Sequence, residues 1–145
     1  MVIRVATSDT EIASCYPVMK ELRQDLEEKE FTGTVRELQQ TGYRLAYLDM
    51  SGQVVAVAGF RVGHNLAWKR HLYVDDLVTL STQRSKGHGS RLLAWLVDVA
   101  ATENCRQLHL DSGMQRKDAH RFYIREGLQP SGYHFVKEID LTQVR

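Results

Sequence analysis

Residues 82–91 read Thr-Gln-Arg-Ser-Lys-Gly-His-Gly-Ser-Arg, and this stretch decides the fold because it joins a predicted strand to a predicted amphipathic helix. The strand covers 72–80. The helix covers 87–103, where apolar residues recur at three- and four-residue spacing. A further strand is predicted over 106–110. Residues 72–110 therefore have the length and order of a βαβ unit with two parallel strands.

The N-terminal part predicts a strand followed by two helices. Residues 2–6 form a short apolar run, and residues 7–9 supply side-chain oxygens that can cap a helix. Pro17 lacks a backbone donor, so we expect a kink or bulge in that first helix. Thr34 and Glu37 have capping-box spacing, which predicts that Thr34 caps a second helix within 31–42.

The remaining segments add a hairpin, a helix and a last strand. Residues 43–49 and 53–62 flank a Ser-Gly turn and predict a β-hairpin. A helix containing Ala119 and Tyr123 should end at Gly127, and residues 132–141 predict a final strand. The fold class is α/β, with helices flanking a mixed sheet. The sequence lacks repeats and linkers, so we expect one domain over 1–145.

Composition excludes several function classes. The chain has 19 Lys and Arg against 18 Asp and Glu, so its formal charge of +1 provides no global attraction to nucleic acid or anionic membranes. No segment resembles a signal peptide or a membrane span, and the two cysteines are too far apart in sequence for a zinc pair. We therefore expect a cytoplasmic protein without a metal site.

The glycine loop has the chemistry of a phosphate site. Amides at a helix N-terminus carry about half a positive charge, and glycines allow close approach of an anion. Arg84, Lys86 and Arg91 add local positive charge. Taken alone, Gly87-x-Gly89 is more typical of a tight turn with solvated cations than of a phosphate site. A Walker loop is excluded because Lys86 precedes Gly87. The dinucleotide fingerprint has Leu92 where it needs a third small residue, and residues 81–86 separate the predicted strand from the first glycine, so the nicotinamide alternative is disfavoured.

Arg84-x-x-Gly87-x-Gly89 resembles the acyl-CoA loop of GNAT acetyltransferases, Gln/Arg-x-x-Gly-x-Gly/Ala. Ala119, Tyr123 and the Gly127-Leu128 pair resemble the second signature of that family, and the spacing between the signatures is similar over about residues 2–140. The combination of residues 120–123 (His-Arg-Phe-Tyr) and 134–135 (His-Phe) is similar to small bacterial members of the family, including aminoalkylphosphonate-type acetyltransferases. Arg116 differs from the Asn that many relatives use to contact CoA.

The resemblance implies a GNAT-like, largely antiparallel sheet with a parallel βαβ unit that binds acetyl-CoA as cosubstrate. It also implies that backbone groups around three residues of the strand hold the pantetheine arm and polarise the thioester, and that the loop binds the diphosphate. The implied cofactor-binding residues are Leu77, Val78, Thr79, Arg84, Ser85, Lys86, Gly87, His88, Gly89 and Ser90. Tyr123 matches the general acid of the family, and its alternative role is a core aromatic beside Phe122.

The chemistry requires a neutral amine, and an alkylamine of pKa about 10.4 is almost fully protonated at pH 7. Asp75 and Asp76 are the carboxylates best placed to assist, directly or through water, and they should alternate between sheet faces. We favour Asp76 as the base. The alternative is that both pair with Arg70 or other cations. Direct attack in a ternary complex is expected because neither cysteine lies in a Cys-His setting.

Three functions remain open at this point. We expect transfer to a primary amine of a small molecule, with a protein or peptide acceptor and an idle CoA-binding regulatory module as alternatives. His120 and His134 could line a substrate pocket or be ordinary surface residues. Trp68 could serve packing, an acceptor site or a dimer contact, so a homodimer is one expectation.

Overall fold

The computed structural model describes residues 1–142 and contains two compact units, one of residues Met1–Leu110 and one that starts at Asp111. The elements of the first unit are β1 (Val2–Val5), α1 (Asp9–Ser14), α2 (Tyr16–Leu22), α3 (Glu28–Gln39), β2 (Arg44–Met50), β3 (Gln53–Asn65), β4 (Lys69–Thr79), a 3-10 turn (Ser81–Gln83), α4 (His88–Thr102) and β5 (Gln107–Leu110). The second unit contains α5 (Lys117–Arg125). Among residues 1–142, no helix combines the length and apolar character needed to cross a bilayer.

The five strands form one sheet in the order β1-β2-β3-β4-β5. The first three pairings are antiparallel, and β4 pairs with β5 in parallel. The predicted mixed, largely antiparallel sheet with a parallel βαβ unit is therefore confirmed. This topology differs from the mostly parallel sheet of a dinucleotide-binding domain, which argues against the nicotinamide alternative.

Helices cover the sheet on both faces. Leu45, Tyr47 and Val57 of the sheet pack with buried residues of α1–α3 in one apolar cluster. On the other face, α4 buries its apolar stripe, and Phe60 meets Trp95 edge to face at 5.8 Å. Burial on both faces explains why β2 and β3 are nearly continuous apolar runs instead of alternating ones.

Local signals near the N-terminus act as predicted. Ser8 caps α1 in a capping box, in which the Ser8 hydroxyl accepts from the Glu11 amide and the Glu11 carboxylate accepts from the Ser8 amide. The helix stops at Ser14, and α2 restarts with Pro17 in its first turn. The expected irregularity near Pro17 is thus a complete break, since proline starts a helix more easily than it continues one.

The predicted start of the second helix is wrong. Thr34 lies in the middle of α3, which begins at Glu28 with Glu27 at the cap position. Phe31 and Val35 are buried on one side of this helix, so packing extends it upstream of the capping-box pattern. Gly42 does provide the expected stop, at a φ of +102°.

The predicted final strand over 132–141 is absent. Residues 132–140 carry no regular secondary structure, and the large apolar side chains of this segment are exposed. These side chains are Tyr133, Phe135, Val136, Ile139 and Leu141. Apolar content predicts a strand only where a neighbouring strand supplies the backbone partners, and the sheet described within residues 1–142 ends at β5.

The capping box predicts a pH-dependent contribution to stability. Hydrogen bonds from the Ser8 amide, the Tyr47 hydroxyl and Thr7 lower the pKa of Glu11 from 4.5 to about 2. A carboxyl with a lowered pKa stabilises the folded state above its unfolded pKa and loses that effect as the pH falls toward its folded pKa. We expect Glu11→Gln to lower the Tm at pH 6, and the difference from wild type to shrink between pH 5 and 2, as measured by calorimetry. An equal difference at both ends of this range would contradict the assignment.

Candidate active site

The glycine loop lies between β4 and α4, as the sequence predicted. Gly87 is the N-cap of α4 and has a φ of +82°, which an L-residue adopts only with strain. Ser85 also has a positive φ of 64°. Arg84 and Lys86 are exposed, and the Lys86 ammonium lies 3.3 Å from the Gln83 side-chain oxygen. The loop therefore presents its cations to solvent beside the start of the helix.

The N-terminus of α4 has no side-chain cap. The first amides of a helix have no partner within the helix, so an uncapped start carries unsatisfied donors and the positive end of the helix dipole. His88, in the first turn, is 4% exposed, and its Nε2 has no hydrogen-bond partner among the described residues. These groups fit an anionic ligand such as a diphosphate.

Strand β4 has an edge that β5 leaves uncovered. β3 pairs with β4 from Lys69 to Thr79, whereas β5 pairs with it only from His71 to Val74. Leu77, Val78 and Thr79 therefore lie beyond the reach of β5. Backbone groups on such an edge can bond an extended ligand as a further strand would.

A β-bulge interrupts β4 at the two predicted carboxylates. Gly59 pairs with Asp76 and Phe60 with Val74, so Asp75 is an extra residue on β4. The regular alternation expected for Asp75 and Asp76 is broken at this point. Such bulges redirect side chains and often lie next to active sites.

Both carboxylates have cationic partners, although the partner is not Arg70. Asp76 accepts from the Arg23 Nε at 2.9 Å and from the Tyr43 hydroxyl at 2.8 Å, one bond on each oxygen. Asp75 accepts from the Arg61 Nε at 2.9 Å. Arg70 instead bonds the backbone oxygen of Glu103. Asp76 remains 13% exposed at its side chain, so water can reach it.

The Asp76 network requires a glycine opposite it. A Cβ built on Gly59 would collide with the Tyr43 hydroxyl and the Asp76 carboxylate. Tyr43 is 4% exposed, and burial, followed by the charge of Asp76, raises the pKa of its phenol far above the ordinary value. Tyr43 therefore keeps its proton at neutral pH and donates it to the hydrogen bond with Asp76.

Tyr123 lies in α5 of the second unit. Burial raises the pKa of its phenol, while the charge of Arg116 lowers it. Its neighbour Phe122 packs at 5.4 Å, so the core-aromatic alternative also has a contact in its favour. Gly127 follows the helix at a φ of +94°, as expected for a C-terminal stop.

His120 and His134, the two histidines considered for a substrate pocket, each have a polar partner within the protein. His120 Nε2 lies 2.8 Å from the Gly113 oxygen, and His134 Nδ1 lies 3.4 Å from Asp111 Oδ1. Trp68 stacks on His109 with a centroid distance of 3.6 Å. Among residues 1–142, no group of three or more His, Cys, Asp or Glu side chains could hold a metal ion.

Sequence reasoning missed Arg23, Tyr43 and Arg61. Arg23 and Tyr43 are 53 and 33 residues from Asp76, and no periodicity connects them. One local signal was available, because a glycine inside a strand marks a bulge or a close approach, and Gly59 marks both.

Comparisons with known proteins converge on one family. The model of the Acetyltransferase (GNAT) family matches residues 10–127. The chain is 36% identical over 135 residues to the uncharacterized N-acetyltransferase YhdJ of Bacillus subtilis, with 92% of this chain and 95% of that protein covered. It is 34% identical over 100 residues to an aminoalkylphosphonate N-acetyltransferase of Salmonella typhimurium, with 67% of this chain and 62% of that protein covered.

A solved structure shares the fold at low identity. The aminoglycoside N-acetyltransferase AAC(6')-Iy in complex with CoA matches with a TM-score of 0.84 and 14% identity, covering 95% of this chain and 93% of that chain. At this identity the likeness concerns the fold alone.

The uncapped helix predicts a charge-sensitive ligand site at Gly89. We expect Gly89→Asp to weaken acetyl-CoA binding at least about tenfold, or about 1.4 kcal/mol, because a carboxylate in the first turn of α4 would repel the diphosphate. Titration calorimetry measures the affinity. Gly33→Asp is the matched control, since Gly33 is an exposed helical glycine with open space around it and receives the same charge. Equal affinities for the two folded variants would place the diphosphate elsewhere.

Proposed function

The chain belongs to the GNAT family of acetyltransferases, and from this premise we propose that it transfers the acetyl group of acetyl-CoA to a primary amine of a small molecule. The observation that carries the proposal is the continuous stretch from β4 to α4. Within it, the strand edge beyond Val74 that β5 leaves uncovered is followed by the 3-10 turn, the glycine loop and an uncapped helix N-terminus.

We propose that two parts of this stretch bind different portions of the cosubstrate. Backbone groups of Leu77, Val78 and Thr79 bond the pantetheine arm and polarise the thioester oxygen, which is the role of an oxyanion hole. The loop from Arg84 to Ser90 binds the diphosphate. The uncapped start of α4 supports this assignment, because its first amides have no partner within the helix and can bond an anion.

In the proposed chemistry, Asp76 and Tyr123 handle the protons. Asp76 takes a proton from the amine, directly or through water, as the nitrogen attacks the thioester carbon. A C–N bond forms and the C–S bond breaks. Tyr123 then donates its proton to the departing thiolate. The Tyr123 phenol carries its proton at neutral pH, as a donor must, and the role rests on the position of Tyr123 in the second signature and not on the rise of its pKa by burial.

A small acceptor is favoured over a protein. The aminoalkylphosphonate relative is named for a small amine, and it aligns over 67% of this chain. A protein or peptide acceptor and an idle CoA-binding module are the competing functions. The Asp76 network argues against idleness, because CoA binding alone needs no oriented carboxylate.

We further propose one domain over 1–145, a homodimer and a cytoplasmic location. The family match crosses the division between the two units at Leu110, which supports one functional domain. Residues 143–145, included in that prediction, lie outside the described residues.

Exposed apolar side chains between Tyr133 and Leu141 support a contact with a second copy. Two free cysteines, Cys15 and Cys105, support a reducing compartment.

An acceptor panel tests the proposed function. We expect purified protein to release free thiol from acetyl-CoA with at least one small amine among aminophosphonates, amino acids, polyamines and amino sugars. Thiol release is followed by a chromogenic disulfide. Release only with peptides would favour the protein-acceptor alternative, and acetyl-CoA binding without any release would favour the idle module.

The variant Tyr123→Phe tests whether Tyr123 acts as a general acid or only as a packing residue. The ring stays and the proton is lost, so kcat should fall about a hundredfold, or about 2.7 kcal/mol at the barrier, with acetyl-CoA affinity nearly unchanged. Tyr16→Phe is the control, because it removes a phenol that donates to the Leu26 oxygen at a place where no reaction step is proposed. A lowered Tm with unchanged kcat would instead assign Tyr123 to the core.

A further inference from the structure

We propose that Arg23 is a positioning residue for the acetyl transfer, acting through Asp76 and the β4 bulge. This inference rests on the proposed function, because it takes Asp76 as the base and the strand after the bulge as the thioester site. Arg23 lies at the C-terminal end of α2, far in sequence from either signature of the family.

One guanidinium bonds two consecutive residues of the bulge. Arg23 donates from Nε to the Asp76 carboxylate at 2.9 Å and from Nη2 to the Asp75 backbone oxygen at 2.8 Å. Asp75 is the extra residue of the bulge, so the ladder to β3 has no register position for it. Arg23 thus satisfies the carbonyl of the irregular residue and fixes the side chain of the next one.

The Asp76 carboxylate is held at both oxygens. Tyr43 donates to Oδ2, and Arg23 bonds Oδ1, so rotation of the carboxylate would break at least one bond. A carboxylate offers about four acceptor positions, so these two bonds leave capacity for a water or an amine proton. A base oriented by a further group is the arrangement that proton abstraction requires.

Because Arg23 is exposed, its effect on the orientation of Asp76 can be distinguished from its effect on stability. Its side chain is 47% exposed, and an ion pair so open to water is screened and contributes little to folding. Loss of Arg23 should therefore change the orientation of Asp76 much more than it changes the Tm. Small displacements of catalytic groups lower rates strongly, because the reacting atoms must be aligned.

The chain offers a closely matched control in Arg36. Its Nε lies 2.9 Å from Asp9 Oδ1 and its Nη2 lies 2.9 Å from the Thr7 oxygen, which repeats the bonding of Arg23 at a site on α1 and α3. Its side chain is 43% exposed. Arg36→Gln removes an equivalent ion pair and backbone bond, together with a 3.1 Å bond to Gln39 Oε1, at a place where no reaction step is proposed.

We expect Arg23→Gln to lower kcat about 10- to 100-fold with a saturating amine from the panel, while the Kd for acetyl-CoA changes less than about threefold. Arg36→Gln should leave both unchanged. Arg23→Lys keeps the charge and one donor, so it should recover part of the lost kcat. In an Asp76→Asn background, Arg23→Gln should lower kcat no further, since both changes act on the same group.

Each other outcome overturns the proposal in a distinguishable way. A kcat for Arg23→Gln equal to that of Arg36→Gln shows that Arg23 is an ordinary surface residue. A raised KM for the amine at unchanged kcat shows that it contacts the acceptor. An undiminished effect in the Asp76→Asn background shows that it acts independently of Asp76. If Arg23→Gln does not fold, Tyr43→Phe releases the other oxygen, and wild-type kcat in that variant rejects the network. Absence of thiol release by the wild type rejects the proposed function and this inference with it.

Discussion

β3 pairs with β4 as far as Thr79, whereas β5 pairs with β4 only as far as Val74. The candidate site depends on this difference between the lengths of the two pairings. Backbone donors and acceptors need partners, and a strand edge without them is a liability that proteins usually cover. Here the open edge continues into a loop and then into a helix start without a cap. An extended ligand with an anionic end satisfies both sets of groups together.

The bulge at Asp75 lies next to that edge and to Asp76, the proposed base. A regular strand would send successive side chains to opposite faces, whereas the extra residue changes the local direction of β4. The altered backbone is stabilised from outside the strand by Arg23, at the C-terminal end of α2, and the side chain of Asp76 is held by Tyr43, just before β2. The segment at the end of α2 therefore does more than cover the apolar cluster, because its Arg23, together with Tyr43, holds the Asp76 carboxylate in place.

Most of the fold could be predicted from the sequence, because its signals are local. The stripe of α4, the Ser8 cap and the Ser51-Gly52 turn each depend on residues a few positions apart, and all three are observed. The errors have non-local causes. Buried contacts extend α3 past its capping-box pattern, and residues 132–140 lack the ladder that their apolar content predicted. In the candidate site, the loop could be predicted from its glycines, but the partners of Asp76 could not, since no spacing rule connects Arg23 or Tyr43 to it.

The Asp76 network also bears on whether the chain acts as an enzyme or only binds its cosubstrate. A binding module needs the loop and the open edge of β4, and it gains nothing from a carboxylate fixed at both oxygens. The network has costs, because it requires Gly59 within a strand, where glycine is destabilising by about 0.5–1 kcal/mol relative to alanine. The ion pair between Asp76 and the half-exposed Arg23 contributes little to the stability of the fold. Functional sites often contain local arrangements that lower stability but orient a reactive group. The Asp76 network, next to the open edge of β4, is an arrangement of this kind. The carboxylate therefore favours catalysis over binding alone.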